Sequence, residues 1–231
     1  MATIVTYNRG AQVTRPHEAY AESGQSIFTE WLKATDDLFT IGGTTAAAPT
    51  YGSTLKLDAT GVVTCAAASE LFAPQASVNF AAKTRTKIVW GTDDVVSLKM
   101  AFQSDSTDSP TEAIGFNLAL TGGTTSSNEA VTVSCSFDDG AADLSEVVSA
   151  TELGGALSID GWNDFSVLVD CDGSRVTAKY FINGKQVKEI AQAGFSTWAT
   201  AGLTWCQTNL TSGSLHDPHI DWISIGSSIR P

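Results

Sequence analysis

The feature that most constrains the fold of this chain is an alternation of apolar and polar residues with a period of two. It recurs in five segments after residue 51, which are 55–57, 96–102, 114–120, 131–137 and 165–171. Successive side chains of a β-strand point to opposite faces, so each segment predicts a strand with one face in a core. The chain therefore reads as an all-β protein.

Turn-forming residues separate these segments. Asp172-Gly173 and Asn183-Gly184 bracket residues 175–182, which predicts a hairpin and a tight return into residues 186–190. Short strands in succession, without helices between them, predict an antiparallel sandwich or barrel. No fixed-period repeat is visible, which disfavours solenoids and propellers.

The N-terminal segment has a different pattern. Ser26 is a candidate N-cap, and the four apolar residues that follow form i,i+4 pairs, which predicts one short helix. The pairs are Ile27 with Trp31 and Phe28 with Leu32. The period-two pattern begins only near Tyr51, so we expect two units, an arm over residues 1–44 that contains the helix and a sandwich over residues 45–231.

Charge narrows the range of partners. The 231 residues carry a formal net charge of −12, and the densest basic group is only Lys83, Arg85 and Lys87. Binding to phosphate backbones needs a larger basic surface, so nucleic acid and anionic membranes are poor partner candidates. The sequence also lacks a recognisable secretion signal and any apolar run of the ~20 residues that span a bilayer. We expect a soluble protein that is synthesised in a host cytoplasm.

The four cysteines predict neither a metal knuckle nor a redox pair. Cys65, Cys135, Cys171 and Cys206 lie tens of residues apart, without a Cys-x-x-Cys motif. Cys135 and Cys171 are in phase with the apolar residues of their strands. We therefore expect both to be buried, reduced thiols.

Two segments carry a family resemblance. Trp162 opens a strand that leads to the Asp172-Gly173 turn, and the next strand ends in Phe181-Ile182-Asn183-Gly184-Lys185. The closing stretch, residues 219–225, places Asp221 among apolar residues. These features resemble the late strands of concanavalin A-like lectin/glucanase jelly rolls, which are also laminin-G-like. The resemblance implies an all-β, antiparallel β-sandwich.

The resemblance leaves several functions open, because similar domains occur in glycoside hydrolases, polysaccharide lyases, lectins and bacteriophage virion proteins. The acidic composition and the missing secretion signal look most like the phage set. The resemblance thus implies a non-enzymatic virion structural protein, a decoration or cement protein on the capsid surface. The alternative is a carbohydrate-binding adhesin of a phage tail or fibre.

The sequence contains little evidence of a catalytic site or a metal-binding site. A retaining glucanase of this fold carries Glu-x-Asp-x-x-Glu on one strand, and no Glu here is followed two residues later by Asp. We expect no enzyme activity, no catalytic residue and no cofactor. His216-Asp217-Pro218-His219 is interpreted as a loop, and Asp138-Asp139 and Asp170/Asp172 as turn formers, rather than as metal ligands.

Two groups of residues are candidate binding sites. The arm is expected to bind the major capsid protein or copies of itself, which would make a homo-oligomer, or alternatively to pack on its own sandwich. Its partner-binding residues would be Ile27, Phe28, Trp31 and Leu32. The candidate glycan-binding residues are Trp198, Trp205, Gln207 and Asn209. We expect Trp162 and Trp222 to lie in the core.

Overall fold

A computed structural model gives the conformation of most of the strand-forming chain. It describes residues 24–29, 39–42, 55–57, 61–65, 78–87, 95–104, 112–121, 130–138, 144–158, 161–172, 175–193, 203–210 and 218–229. All structural statements below concern these residues.

The described residues form fourteen strands and one short helix. The strands are β1 (Gly24–Thr29), β2 (Phe39–Gly42), β3 (Leu55–Lys56), β4 (Val62–Cys65), β5 (Val78–Lys87), β6 (Val95–Gln103), β7 (Ala113–Thr121), β8 (Ala130–Asp138), β9 (Glu146–Val147), β10 (Trp162–Cys171), β11 (Arg175–Ile182), β12 (Lys185–Ala193), β13 (Thr204–Asn209) and β14 (His219–Ile229). The helix α1 is Ala150–Leu153.

The strands form two antiparallel sheets of seven strands each. Sheet I has the order β1-β14-β5-β10-β11-β12, and β3 also pairs with β14. Sheet II has the order β2-β4-β13-β6-β7-β8-β9. This arrangement confirms the all-β, antiparallel sandwich prediction. Strands that are distant in sequence, such as β5, β10 and β14, are neighbours in sheet I.

The core lies between the sheets, and contacts between aromatic rings join the two sheets within it. Phe102 of sheet II makes edge-to-face contacts with Phe80 of sheet I at 4.8 Å and with Trp205 at 5.1 Å, between ring centroids. Phe116 of sheet II contacts Phe165 of sheet I at 5.5 Å in the same geometry. Such pairs add to the burial of apolar area that drives folding.

The buried cysteines belong to the same core. Cys135, Cys171 and Cys206 are free and buried, which confirms the prediction for Cys135 and Cys171. Burial raises the pKa of the Cys135 thiol well above its usual range. A thiol held in its neutral form is a poor nucleophile, so Cys135 serves packing rather than chemistry.

The Asn183-Gly184 turn forms as predicted. Asn183 has φ 50° and Gly184 φ 81°, the left-handed conformation that a tight hairpin requires. The Asn183 amide donates to the Ala156 carbonyl at 2.7 Å and to Asn163 Oδ1 at 3.0 Å. Asn163 is fully buried and in turn donates to the Ser158 carbonyl at 2.7 Å. The turn is thereby joined to the segment that precedes β10.

The helix predicted within the N-terminal arm is wrong for the residues that the structure describes. Gly24–Thr29 is a strand that pairs with β14, from Gly24 opposite Ser228 to Thr29 opposite Ile223. An isolated helix of two turns is marginal in water, whereas Ile27 and Phe28 suit a strand that completes a ladder. Trp31 and Leu32 lie outside the described residues.

Two strands that precede the predicted boundary at residue 44 pair with strands that follow it, one in each sheet. β1 pairs with β14 in sheet I, and β2 pairs with β4 in sheet II, from Phe39 opposite Cys65 to Gly42 opposite Val62. These two segments of the predicted arm are therefore strands of the sandwich. Their backbone hydrogen bonds go to the sheets, rather than to a separate helix.

Capping residues mark both ends of the helix α1. Ser149 Oγ accepts from the Glu152 backbone N–H at 3.2 Å, and the Ser149 N–H donates to Glu152 Oε2 at 2.7 Å. This reciprocal pair is a capping box, and Gly154 closes the helix in a left-handed conformation. None of the helices in the described ranges is long and apolar enough to span a membrane.

Candidate functional site

Three of the four residues of the sequence-predicted glycan site do not lie on the surface. Trp205 is fully buried against Phe102, and Gln207 and Asn209 also have no exposed surface. The Asn209 amide donates to the Leu57 carbonyl at 3.0 Å. Because β13 turns these three side chains towards sheet I, they cannot offer a sugar an exposed platform. Trp198 lies outside the described residues.

Two tryptophans that the sequence places in the core lie instead on the outer face of sheet I. In β10 the core residues are Phe165, Val167 and Val169, so the alternation turns Trp162 outward. Trp162 and Trp222 are both half-buried. The expectation that they pack in the core is therefore wrong.

A β-bulge turns Trp222 outward. The register between β14 and β5 shifts between Ile220 and Trp222, so Asp221 is an extra residue in the ladder. Ile220 and Ile223 can then both face the core, although three positions separate them. Without the bulge, strict alternation would turn one of these isoleucines to the outer face.

The strand β5 lies between the two tryptophans. Trp162 is opposite Lys87 on one side of β5, and Trp222 is opposite Arg85 on the other. Lys83, Arg85 and Lys87 alternate with core residues and therefore share the outer face with the tryptophans. Asp164 is opposite Arg85 as well. We call this group the tryptophan face, and its members are Trp162, Trp222, Lys83, Arg85, Lys87, Asp164 and Asp221.

Two cation–aromatic contacts and two ion pairs connect these side chains. Lys83 Nζ lies 5.3 Å from the Trp222 ring centroid and 2.9 Å from Asp164 Oδ2. Arg85 Cζ lies 5.7 Å from the Trp162 ring centroid, and its Nε lies 3.8 Å from Asp221 Oδ2. A cation held over an aromatic ring is attracted by the ring quadrupole, so each contact orients a tryptophan.

The two cations differ in their access to solvent. The side chain of Lys83 is 11% exposed, while that of Arg85 is 44% exposed. The partner carboxylates are about equally accessible, at 31% for Asp164 and 30% for Asp221. The tryptophan face thus combines a buried, fixed ammonium with an accessible guanidinium. Its aromatic rings, hydrogen-bond donors and acceptors are the groups that bind polyhydroxylated ligands.

The part of the outer face of sheet II that β6 and β13 form is polar but enclosed. Gln103 is fully buried, and Thr208 and Lys99 are only 4% and 7% exposed, although all three point away from the core between the sheets. Thr208 Oγ1 is buried and has no hydrogen-bond partner within the described structure. A ligand from solution cannot reach these three side chains, so this part of sheet II is a weaker site candidate than the tryptophan face.

The metal-binding alternatives gain no support from the described residues, in which no three His, Cys, Asp or Glu side chains group as metal ligands. Asp172 Oδ1 instead accepts from the Arg175 backbone N–H at 2.7 Å, which is the turn-forming role predicted for it. His219 is a half-buried residue of β14 opposite Lys87, and His216 lies outside the described residues.

The sequence interpretation missed the strand that carries the cations. β5 places Thr84 and Thr86 on the core side, where Gln207 bonds to both hydroxyls. Because these inward positions are polar, the strand lacks an apolar alternation. The alternation of Lys83, Arg85 and Lys87 was the signal that could have located it.

Comparisons with known proteins bear on the fold. No protein-family model matches the chain, and no curated protein matches its sequence. Solved structures match it over nearly their whole length. Peanut lectin with a nine-residue peptide superimposes with a TM-score of 0.61 at 10% identity, covering 90% of this chain and 99% of the lectin.

Two further solved structures match the chain with similar coverage and sequence identity. Winged bean acidic lectin complexed with methyl-α-D-galactose has a TM-score of 0.57 at 10% identity, over 90% of this chain and 99% of its own. The carbohydrate recognition domain of Emp47p has a TM-score of 0.54 at 12% identity, again over 90% and 99%. At such identities the likeness shows a common fold and leaves the ligand of this chain open.

Proposed function

We propose, from the concanavalin A-like jelly-roll fold that the chain shares with these lectins, that it is a non-enzymatic carbohydrate-binding protein. The observation that carries the proposal is the outward position of Trp162 and Trp222 on neighbouring strands of β5. The structural neighbours include a lectin complexed with a galactoside and a carbohydrate recognition domain. Function is carried by a site on the fold, so the tryptophan face is the element to test.

The chemistry of the tryptophan face suits a sugar. An indole ring offers a large apolar surface at low conformational cost, against which the C–H face of a pyranose can pack. Asp164 and Asp221 can accept hydrogen bonds from hydroxyl groups, and Arg85 can donate them. Half-buried rings held by Lys83 and Arg85 lose little side-chain freedom on binding, which favours affinity.

The test is the binding of purified protein to a glycan array, followed by calorimetry with the best ligand. Trp162→Ala and Trp222→Ala should each weaken binding about 30-fold, the loss typical of an aromatic residue that dominates an interface. Phe181→Ala is the matched control, because Phe181 is a half-buried aromatic residue of β11, two strands from β5. Full binding by both tryptophan variants would refute the proposed site.

Within this function we propose the role of a phage tail or fibre adhesin, which the sequence resemblance implied as its alternative. The capsid-decoration role, the virion location, and binding to a capsid protein or to copies of itself stay predictions. Immunogold labelling of purified particles distinguishes the roles. Label on tails or fibres supports the adhesin, and label over the head supports decoration.

A further inference from the structure

We propose that the tryptophan face binds glycans that carry acidic groups, such as uronate, sialate or sulfate, with the acidic group beside Trp162. This inference rests on the proposed function and specifies its ligand class. It starts from the densest basic group of an acidic chain, which lies on β5 at positions i, i+2 and i+4. A strand turns such positions to one face, so sequence neighbours become one cationic row.

The local charge on the tryptophan face is opposite to that of the whole chain. Lys83, Arg85 and Lys87 supply three positive charges, against the two carboxylates of Asp164 and Asp221, whereas the chain carries −12. Beyond about 8 Å, salt at physiological strength screens the charges of the remaining acidic residues. An anion at this face therefore meets mainly the cationic row.

The three cations are not equally available to a ligand. Lys83 is 11% exposed, and its ammonium lies over the Trp222 ring and 2.9 Å from Asp164 Oδ2, so its charge is already matched by a carboxylate. Arg85 is 44% exposed and its ion pair with Asp221 is long, at 3.8 Å. Its guanidinium has five N–H donors in a planar fork that matches a carboxylate or sulfate.

Lys87 places a second cation next to Trp162. It is half-buried and lies directly opposite Trp162 across the β5–β10 ladder, two positions from Arg85 on the same face. A sugar ring packed on Trp162 would thus have Arg85 over one side and Lys87 alongside. This arrangement locates the acidic substituent between Arg85 and Lys87.

A glycan fits these charges better than a nucleic acid does. A polynucleotide presents a phosphate at every residue and requires many cations along its path. The tryptophan face offers three, of which one is paired with Asp164, and the rest of the chain is acidic. A sugar with one acidic group per residue or per chain end needs no more than two cations beside an aromatic ring.

The experiment uses the full chain and glycans in matched pairs that differ only in the acidic group. The pairs are sialylated and desialylated, uronate and carboxyl-reduced, and sulfated and desulfated oligosaccharides, with oligo-dT as the nucleic-acid probe. We expect one acidic member to bind at least 10-fold more tightly than its neutral partner, and less tightly as salt increases.

Substitutions at Arg85 and Lys87 then test whether the preference for acidic over neutral glycans arises at the tryptophan face. Arg85→Gln retains hydrogen bonding but removes the charge, and it should reduce the acidic-to-neutral preference about 10-fold, as should Lys87→Gln. Lys179→Gln is the matched control, since Lys179 lies on the same outer face in β11, is 36% exposed and should leave the preference unchanged.

Each outcome has a distinct meaning. Equal binding to both members of a pair, or preference for the neutral member, overturns this inference and leaves carbohydrate binding intact. Binding to no glycan refutes the proposed function as well. Tighter binding to oligo-dT than to any acidic glycan overturns the ligand class. An acidic preference that survives Arg85→Gln and Lys87→Gln places the acidic group elsewhere and overturns the assigned site.

Discussion

Gln207 joins the two sheets through a closed set of hydrogen bonds. Its Oε1 accepts from Thr84 Oγ1 at 3.0 Å, and its Nε2 donates to Thr86 Oγ1 at 2.9 Å. All three residues have no exposed surface. A buried polar group that loses its partner cannot bond to water instead, so any other alignment of β13 with β5 would leave these groups unpaired. The hydrogen bonds therefore favour one alignment of the two strands.

Gln207→Leu should therefore lower the free energy of unfolding by about 1–3 kcal/mol, because Thr84 and Thr86 would keep only their mutual contact in an apolar site. Urea denaturation of the wild type and the variant measures the change. The control is Gln186→Leu, at an exposed position of β12, which should change stability by less than about 0.5 kcal/mol. Equal effects of both variants would contradict the role of Gln207.

At the scale of elements, an ion cluster connects the last strands of the two sheets. Lys188 Nζ of β12 lies 2.7 Å from Glu152 Oε1 of α1 and 3.2 Å from Glu146 Oε2 of β9. The hydrogen bond from Lys188, with those from Ser149, lowers the pKa of Glu152 to about 2. The same contact with Glu152 raises the pKa of Lys188. The cluster thus joins β12 and β9, the strands at which the two sheets end.

The lowered pKa gives a pH-dependent stability. Glu152 binds its proton more weakly in the folded than in the unfolded chain, so its contribution is complete above pH 4.5 and is lost as the pH falls towards about 2. Thermal unfolding between pH 5 and pH 2 should show a steeper loss for the wild type than for Glu152→Gln.

A second variant distinguishes the effect of the Lys188 ion pair on the pKa of Glu152 from the effect of the helix cap. Lys188→Met removes the main cause of the low pKa, and the carboxyl pKa of Glu152 in NMR titration should move up towards 4.5. An unchanged carboxyl pKa in Lys188→Met would show that the Ser149 capping box alone holds the charge.

At the scale of the whole molecule, the first described strand pairs with the last. β1 covers one side of β14 from Ile223 to Ser228, and β5 covers the other side. Removal of β1 would leave unpaired backbone donors and acceptors along this part of β14. Open edges of this kind promote association between chains.

Deletion of residues 1–44 should therefore lower the melting temperature by roughly 5 °C or more and cause concentration-dependent association. Deletion of residues 1–23 retains β1 and is the matched control, which should lower the melting temperature less than the deletion of residues 1–44. Calorimetry and light scattering measure both effects. A 1–44 deletion that stays monomeric, keeps the wild-type melting temperature and loses particle binding would instead support the separate assembly arm.

The amino-acid sequence by itself determined the strands with apolar alternation, the Asn183-Gly184 hairpin, the buried Cys135 and Cys171, and the concanavalin A-like jelly-roll fold. Alternation and turn conformation are local properties, and residues two or three positions apart are enough to specify them. Only the tertiary structure decided that Trp205 is buried while Trp162 and Trp222 face outward. The bulge at Asp221, the polar inner face of β5 and the pairing of β1 with β14 each depend on a partner strand far away in the sequence, and local periodicity holds no information about that partner.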